Sequence, residues 1–468
     1  MRPSKFRVAI CGGGVGGLTF AVALSGYPDI AVDIYEAANT FTEMGAGIGM
    51  WPRTRKIMRS LGLEDGVKKL GKCTEFGQSA PVFHYRKSDQ PEGFDFFDLS
   101  TPGGLTMLHR AAFHQFLLDR LTHTQVTTHT SKRLTSYTQP SPSPSPITLS
   151  FQDGTTATCD VLIGADGYRS AIRAGMVQEM FDAGVDLGCL EGEGVEKLKE
   201  PMWSGTVAWR AMVPFQKLEK VLPRHRAMCE PTQYLGKNGF IIMYPVTQQG
   251  EKLLNFVAFR MKHDLEGTPY HGPWVAKNQS REDFERDFEG WETEVQDLIK
   301  CVEKPLLWSI HVARPLPSFA HKRVAIMGDA AHAMLPHQGS GAGQAIDDAY
   351  TLAKLLGHPL TTVSTLPTAL AAYDSVRRPF AMDIMSRSRE AGRLFTFYHP
   401  ELDCSVGGDE MDHRKKLEEM SERLVRNWKW AWESEIDGDV KKALGMFEAK
   451  VGKGSVRNGV NGTNGYSC

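Results

Sequence analysis

The chain opens on an apolar run, Phe6 to Cys11, followed at once by Gly12, Gly13, Gly14, Gly16 and Gly17. Apolar residues then recur at helical spacing from Leu18 to Leu24, and a second apolar run, Ile30 to Tyr35, ends at Glu36. Strand, tight turn, helix and strand make the opening βαβ unit of a parallel sheet. A glycine-rich stretch, Gly45, Gly47 and Gly49, follows.

From Val126 to Asp160 the pattern changes to Thr-rich, β-branched segments with an Asp153-Gly154 turn, predicting an antiparallel meander. Prolines alternate with serines from Pro140 to Pro146, which reads as a stiff, exposed hairpin tip in preference to a ligand for an SH3-like module. Between about Gly175 and Ser309, strand-like runs (Gly205 to Pro214, Gly239 to Pro245, Lys252 to Arg260) mix with acidic helical stretches, predicting a second lobe on an antiparallel sheet. Val324 to Met327 reads as one more buried strand, and helical periodicity takes over from Gly343. Beyond Lys450 the Gly-, Asn- and Ser-rich tail is expected to be disordered.

Composition narrows the class. The 468 residues are 41% apolar and 23% charged, ordinary for a globular chain with a large core. Fifty-four Lys and Arg against 55 Asp and Glu leave a net charge of −1, without the cationic surplus of a nucleic-acid binder. Eight cysteines form no Cys-x-x-Cys pair, as expected of reduced thiols in a cytoplasmic protein rather than a disulfide frame or zinc site. Glycines interrupt the apolar stretch from Val8 to Leu24, which carries no cleavage pattern, and no run of about twenty apolar residues follows. Neither a targeting segment nor a transmembrane helix is therefore expected, and the N-x-S/T triplets at Asn278 and Asn461 read as chance.

Three motifs carry the chemistry. Gly12, Gly14 and Gly17 complete a G-x-G-x-x-G between a strand and a helix. The first glycine permits the turn, the second lets amides reach a pyrophosphate and the third allows close packing, with the helix N-terminus favouring phosphate. Glu36 stands where a carboxylate accepts from ribose hydroxyls and would repel a 2′-phosphate, so the dinucleotide here is FAD or NAD, not NADP. Asp166-Gly167 closes a strand from Asp160 to Gly164 and is followed by Arg169, Ser170 and Arg173. Gly328-Asp329 again follows a strand, and the loop from Pro336 through Gly339 to Ala342 opens a helix, so Asp329 can bind a ribityl hydroxyl and the loop amides can approach a flat ring. His332 and His337 lack the Glu and third ligand of a metal site, and no metal is expected.

In this order the three motifs resemble those of the single-component FAD-dependent aromatic hydroxylases, the salicylate and p-hydroxybenzoate hydroxylases. The resemblance spans residues 8 to 349. It implies an α/β fold: a Rossmann-type FAD-binding domain (1–75, 100–180 and 305–380) with an inserted antiparallel-sheet substrate domain (76–99 and 181–304), C-terminal helices (381–450) and a tail (451–468). By the same resemblance Gly12, Gly14, Gly17 and Glu36 hold the ADP half of FAD. Gly49, Arg110, Asp329, Pro336, Gly339 and Ala342 make further FAD contacts, and Asp166 serves FAD and NAD(P)H docking. Trp51, Pro52 and Arg53 stand where relatives often carry Asn. The implied reaction spends NAD(P)H and O2 and hydroxylates a phenol through a flavin C4a-hydroperoxide. The alternatives are dearomatisation of an alkylated phenol, or epoxidation or hydroxylation of a polycyclic metabolite. A non-catalytic redox sensor is the rival from another class: it would use the first motif and leave Asp329 idle. The expected chain is a cytoplasmic monomer or homodimer with a small aromatic substrate.

Arg210 is a lone cation in an apolar strand, and Tyr244 lies near the end of another. Each alone is as compatible with an edge ion pair or core packing as with a site. Together they resemble the Arg and Tyr with which fungal-type dearomatases hold a phenolate, a pairing that suits an ionised ring. Trp428, Trp430 and Trp432 are not followed by the Ile-Pro of flavin halogenases. Leu424, Trp428 and Trp432 share a helical face, so packing or an interface is expected, while Glu418, Glu419 and Glu422 disfavour a membrane-surface helix.

Overall fold

The computed structural model describes residues 4–459, except 43–46, 141–144, 189–193, 249, 278, 403 and 405–409. The Pro140 to Pro146 tip, Gly45, Cys189, Cys468, Asn278 and Asn461 therefore lie wholly or partly outside the described residues.

The first layer is a six-stranded sheet in the spatial order Ala320–His321, Val324–Ile326, Val161–Gly164, Phe6–Cys11, Ile30–Tyr35 and Val126–His129. All its pairs are parallel except the Ala320–His321 edge. Central strands are buried on both faces, which is why they read as unbroken apolar runs. Helix Val15–Leu24 is buried along nearly its whole length and packs against helix Gly341–Leu356. The meander expected from Val126 to Asp160 divides here. Val126–His129 joins the parallel sheet, and only Leu134–Thr138, Ile147–Phe151 and Thr156–Cys159 form a three-stranded antiparallel unit.

The second layer is an eight-stranded sheet: Val275–Ala276, Leu306–Val312, Met202–Pro214, Glu251–Met261, Gly239–Gln248, Thr232–Gly236, Ser79–Lys87 and Phe94–Pro102. It is antiparallel except where Thr232–Leu235 pairs in parallel with His84–Lys87. Leu306–Val312 belongs to this sheet, although the sequence boundaries place residues from 305 in the cofactor domain, and Phe94–Pro102 runs past the boundary at 99. One face packs on helices Arg281–Asp287 and Thr293–Lys300 through Trp209, Phe256 and Ile241. The other packs Phe240 and Phe259 beneath Phe395 and Trp428.

Helices Leu366–Phe395, Glu410–Trp428, Trp430–Glu433 and Ile436–Gly459 follow. The last continues past Lys450, where composition predicts a disordered tail, and residues 460–468 lie outside the described residues. Trp428 and Trp430 fall in separate helices. Trp428 is buried against Phe83, and Trp432 lies against Trp51.

Candidate active site

One cavity of about 620 Å³ runs from the first glycine loop to the inner face of the second sheet. Its walls include all three motifs: Gly12 to Gly16 with Glu36, then Asp166, Gly167 and Arg169, then Gly328, Asp329 and Pro336 to Ala342. Residues scattered over more than three hundred positions thus meet because three parallel strands end side by side, each with a turn at its carboxyl end.

The backbone at the first turn needs glycine. Gly12 has φ +111°, and a Cβ there would lie 2.1 Å from the Ala165 carbonyl oxygen, while one on Gly17 would lie 2.0 Å from the Gly12 carbonyl oxygen. Gly14 caps helix Val15–Leu24 without a side-chain hydrogen bond, leaving first-turn amides open at the cavity. His114 Nε2 lies 2.7 Å from the Gly13 carbonyl oxygen and steadies the loop. The Glu36 carboxylate accepts from the Gly13 amide at 2.8 Å and the Ala38 amide at 2.7 Å.

The second and third turns differ in what they offer. The Asp166 carboxylate faces helix Ala171–Asp182, accepting from the Ser170 hydroxyl at 2.5 Å and the Ile172 amide at 3.3 Å. Burial raises its pKa against those bonds. Asp329 instead stands exposed at the cavity wall. Its turn is fixed from behind by Asp348, which accepts from the Gly328 amide at 3.0 Å and meets His332 Nε2 at 2.6 Å and Arg377 Nε at 2.8 Å. Burial alone would push Asp348 up, but the charges of His332 and Arg377 hold it down at about 2. Helix Gly341–Leu356 also begins at the cavity without a side-chain cap, so a second positive helix end faces the same space.

Two uncapped helix N-termini, an acidic residue at one end and an open carboxylate between them are the donor set of a bound dinucleotide, and the residues fit FAD. Among the described residues no group of three or more His, Cys, Asp or Glu can hold a metal ion.

The far end is walled by the second sheet. Strands alternate faces, so Arg210 and Ala208 turn to the cavity while Trp209 turns to the opposite core. Met202–Pro214 lies inside the sheet, and no carboxylate of the described residues pairs with Arg210, whose guanidinium sits 5.1 Å from the Trp308 ring centre. Burial and the neighbouring charge of Arg110 lower its pKa, opposed by Tyr244. Burial pushes the Tyr244 phenol up to about 12 despite the Arg210 charge and the neighbouring Asn255 amide. Tyr244 presses on strand Gly47–Met50, where a Cβ on Gly47 would lie 2.6 Å from its hydroxyl. In that strand a Cβ on Gly49 would lie 3.1 Å from a Leu105 methyl.

Sequence reading missed three residues of this wall. His337, weighed only as a metal ligand, is 6% exposed, and neither ring nitrogen has a hydrogen-bond partner. Its ring lies edge-on to Phe240 and Phe259 and fits because residue 392 is glycine: a Cβ there would meet the imidazole at 2.4 Å. Burial, with the His263 charge behind it, brings its pKa down to about 3. Gln233 and Asn255 also line the cavity. Their signal was a polar residue at the inward position of an otherwise apolar alternation.

A Rossmann-type sheet carrying a three-turn cofactor cradle, closed by a second sheet, defines an FAD-dependent enzyme. The FAD binding domain family matches residues 5–253 and 305–388, and the chain belongs to it. An FAD-dependent monooxygenase of Strobilurus tenacellus is 34% identical, covering 96% of this chain and 99% of its own. A salicylate hydroxylase of Pseudomonas putida is 35% identical over 93% of this chain and 94% of its own. The solved structure of a salicylate hydroxylase substrate complex superposes with a TM-score of 0.77 at 30% identity, covering 94% of this chain and 98% of that one.

Proposed function

We propose that the chain binds FAD along this cavity and hydroxylates a small phenol at the expense of NAD(P)H and O2. One observation carries the substrate reading: Arg210, a half-buried cation with no carboxylate partner among the described residues, stands at the far end of the cavity from the first glycine loop. A buried charge needs a partner, and an anionic guest supplies it. The salicylate hydroxylase relative acts on a ring carrying such an anion.

Gly12, Gly14, Gly17 and Glu36 hold the ADP half. Asp329, Asp166, Gly49, Arg110, Pro336, Gly339 and Ala342 hold the ribityl and ring end. The chemistry FAD supplies when bound is two-electron oxidation of NAD(P)H and delivery of one oxygen atom of O2 to the ring. The protein does the rest. Arg210, with Arg110 nearby, favours the ionised phenol, and electron-rich rings accept electrophilic oxygen. Tyr244 keeps its proton at working pH and donates a hydrogen bond to the same oxygen. Val257, Ile242, Phe240 and Phe259 floor the site and exclude water. Among the described residues no helix is long and apolar enough to cross a membrane, and the six cysteines among them are all free, which supports a cytoplasmic location as part of the same proposal. The oligomeric state proposed is a monomer or homodimer.

The test is Arg210→Ala in the flavin-loaded enzyme, assayed with salicylate and with an alkylated resorcinol aldehyde. FAD content should be unchanged, the KM for the phenol about a hundredfold higher, and NAD(P)H oxidation diverted to H2O2. Coupled turnover at the wild-type KM would remove Arg210 from the site, and a protein purified without flavin absorbance would favour the sensor instead.

A further inference from the structure

The inner face of the second sheet is a grid whose rows follow from strand register. Arg210 pairs with Val257, Val257 with Ile242, and Ile242 with Gln233, so these four side chains form one line across four neighbouring strands on one face. On one side of that line lies an apolar row, Ala208, Phe259 and Phe240. On the other lies a polar pair, Asn255 and Tyr244. All of these residues line the cavity.

The central line therefore has a cation at one end, an apolar floor of Val257 and Ile242, and an amide at the other end. Gln233 is 1% exposed and its Oε1 has no hydrogen-bond partner. Its register neighbours, Ile242 and Tyr85, give it none: Ile242 is apolar, and the Tyr85 hydroxyl is itself unpaired. A buried carbonyl left without a donor is costly, so such groups in a cavity wall mark a contact that a guest completes. Strands spaced about 4.8 Å apart put the Cα atoms of Arg210 and Gln233 about 14 Å apart. An extended guanidinium and an amide reaching inward leave room for one six-membered ring with polar groups on opposite edges.

We infer that Gln233 determines specificity: its Oε1 accepts a hydrogen bond from a hydroxyl across the ring from the anionic group at Arg210, so the substrate class is a phenol with a second hydroxyl on its far edge. The inference rests on the functional reading above and deepens it by naming that class. A wall built to accept from a hydroxyl penalises the analogue lacking it, because the carbonyl stays unpaired in the complex.

The experiment titrates the FAD-loaded wild type, by flavin fluorescence, with 2-hydroxybenzoate and its 3-, 4-, 5- and 6-hydroxy derivatives. The 4-hydroxy compound places the added group opposite the carboxylate, and the 5-hydroxy compound places it opposite the phenol oxygen. One of these two should bind about tenfold tighter than the parent and the 3- and 6-hydroxy compounds. In Gln233→Met the advantage over the parent should vanish. In Gln233→Glu, which retains an acceptor, the advantage should persist relative to the parent. Equal binding of the whole series to the wild type, or an advantage surviving Gln233→Met, overturns the inference and leaves the functional reading standing. The wild-type comparison decides even if a variant loses its flavin. If no member of the series perturbs the flavin or speeds NAD(P)H oxidation, both fall.

Discussion

His337 shows how far a single side chain departs from what its neighbours in sequence announce. Between Pro336 and Gln338 it reads as a loop imidazole, yet Phe240, Phe259 and Gly392 enclose it. None of the three is within fifty positions of it, so its burial was invisible in sequence. The glycines of the first motif were legible for the opposite reason: the turn, the strand before it and the helix after it are contiguous. Burial of His337 has a pH consequence. The unfolded imidazole takes a proton near pH 6.5, whereas the folded one resists until about 3. The unfolded state thus binds the extra proton first, and the folded state loses stability as pH falls through that window, by up to about 1.4 kcal/mol per pH unit. Urea midpoints should fall more steeply between pH 6.5 and 4.5 in the wild type than in His337→Leu. His263, brought down to about 4 by burial and nearby cations, contributes equally to both proteins and cancels. Parallel slopes would mean that His337 is protonated in the folded state.

Among the elements, the short helix Pro52–Ser60 joins the core to the chain's end. Arg53 is 1% exposed and lies 2.7 Å from Asp347 of helix Gly341–Leu356. It also bonds the Ser434 hydroxyl at 2.9 Å, pairs with Asp439 of the last helix, and sits 4.3 Å from the Phe380 ring centre. Next to it the Trp51 indole donates to the Gln338 carbonyl at 3.1 Å, and the Trp430 indole donates to Gln338 Oε1 at 3.2 Å. The C-terminal helices therefore back the loop that carries His337. Helical spacing correctly suggested that the Trp trio packs, but not that the helix breaks between Trp428 and Trp430, because the partner that rewards the break, Gln338, is ninety residues away. Removing Arg53 leaves Asp347 buried with only Arg377 nearby, at 3.7 Å. Arg53→Met should cost about 3–5 kcal/mol of unfolding free energy, measured by denaturant titration, with part recovered in Arg53→Met, Asp347→Asn. An unchanged midpoint would show that hydrophobic replacement balances the lost pair.

Over the whole molecule, the parallel sheet was readable from apolar runs and turn chemistry, whereas the second sheet was only partly so. Its parallel Thr232–Leu235 to His84–Lys87 pairing brings together strands about a hundred and fifty positions apart, and register of that kind leaves no local trace. A contact that ties the two sheets beside the cavity is equally non-local. Trp274, just before the edge strand Val275–Ala276, stacks on His311 at 3.8 Å and 7° and on Tyr168 at 5.1 Å, with the Arg169 guanidinium 3.8 Å from its ring centre. Tyr168 and Arg169 follow directly on the Asp166-Gly167 turn, and Arg169 lines the cavity. The stack thus joins the Asp166-Gly167 turn of the first layer to the rim of the second, and it resists their parting. Aromatic and cation–π contacts of this kind are together worth about 1–2 kcal/mol. Their loss shifts a closed-to-open ratio roughly five- to thirtyfold, and an open site admits water before oxygen reaches the ring. Trp274→Ala should keep its FAD and its fold while a several-fold larger share of NAD(P)H appears as H2O2. Trp274→Phe, which keeps a stacking face, should lie near the wild type. Unchanged coupling in Trp274→Ala would show that the layers are held by the sheet interface alone.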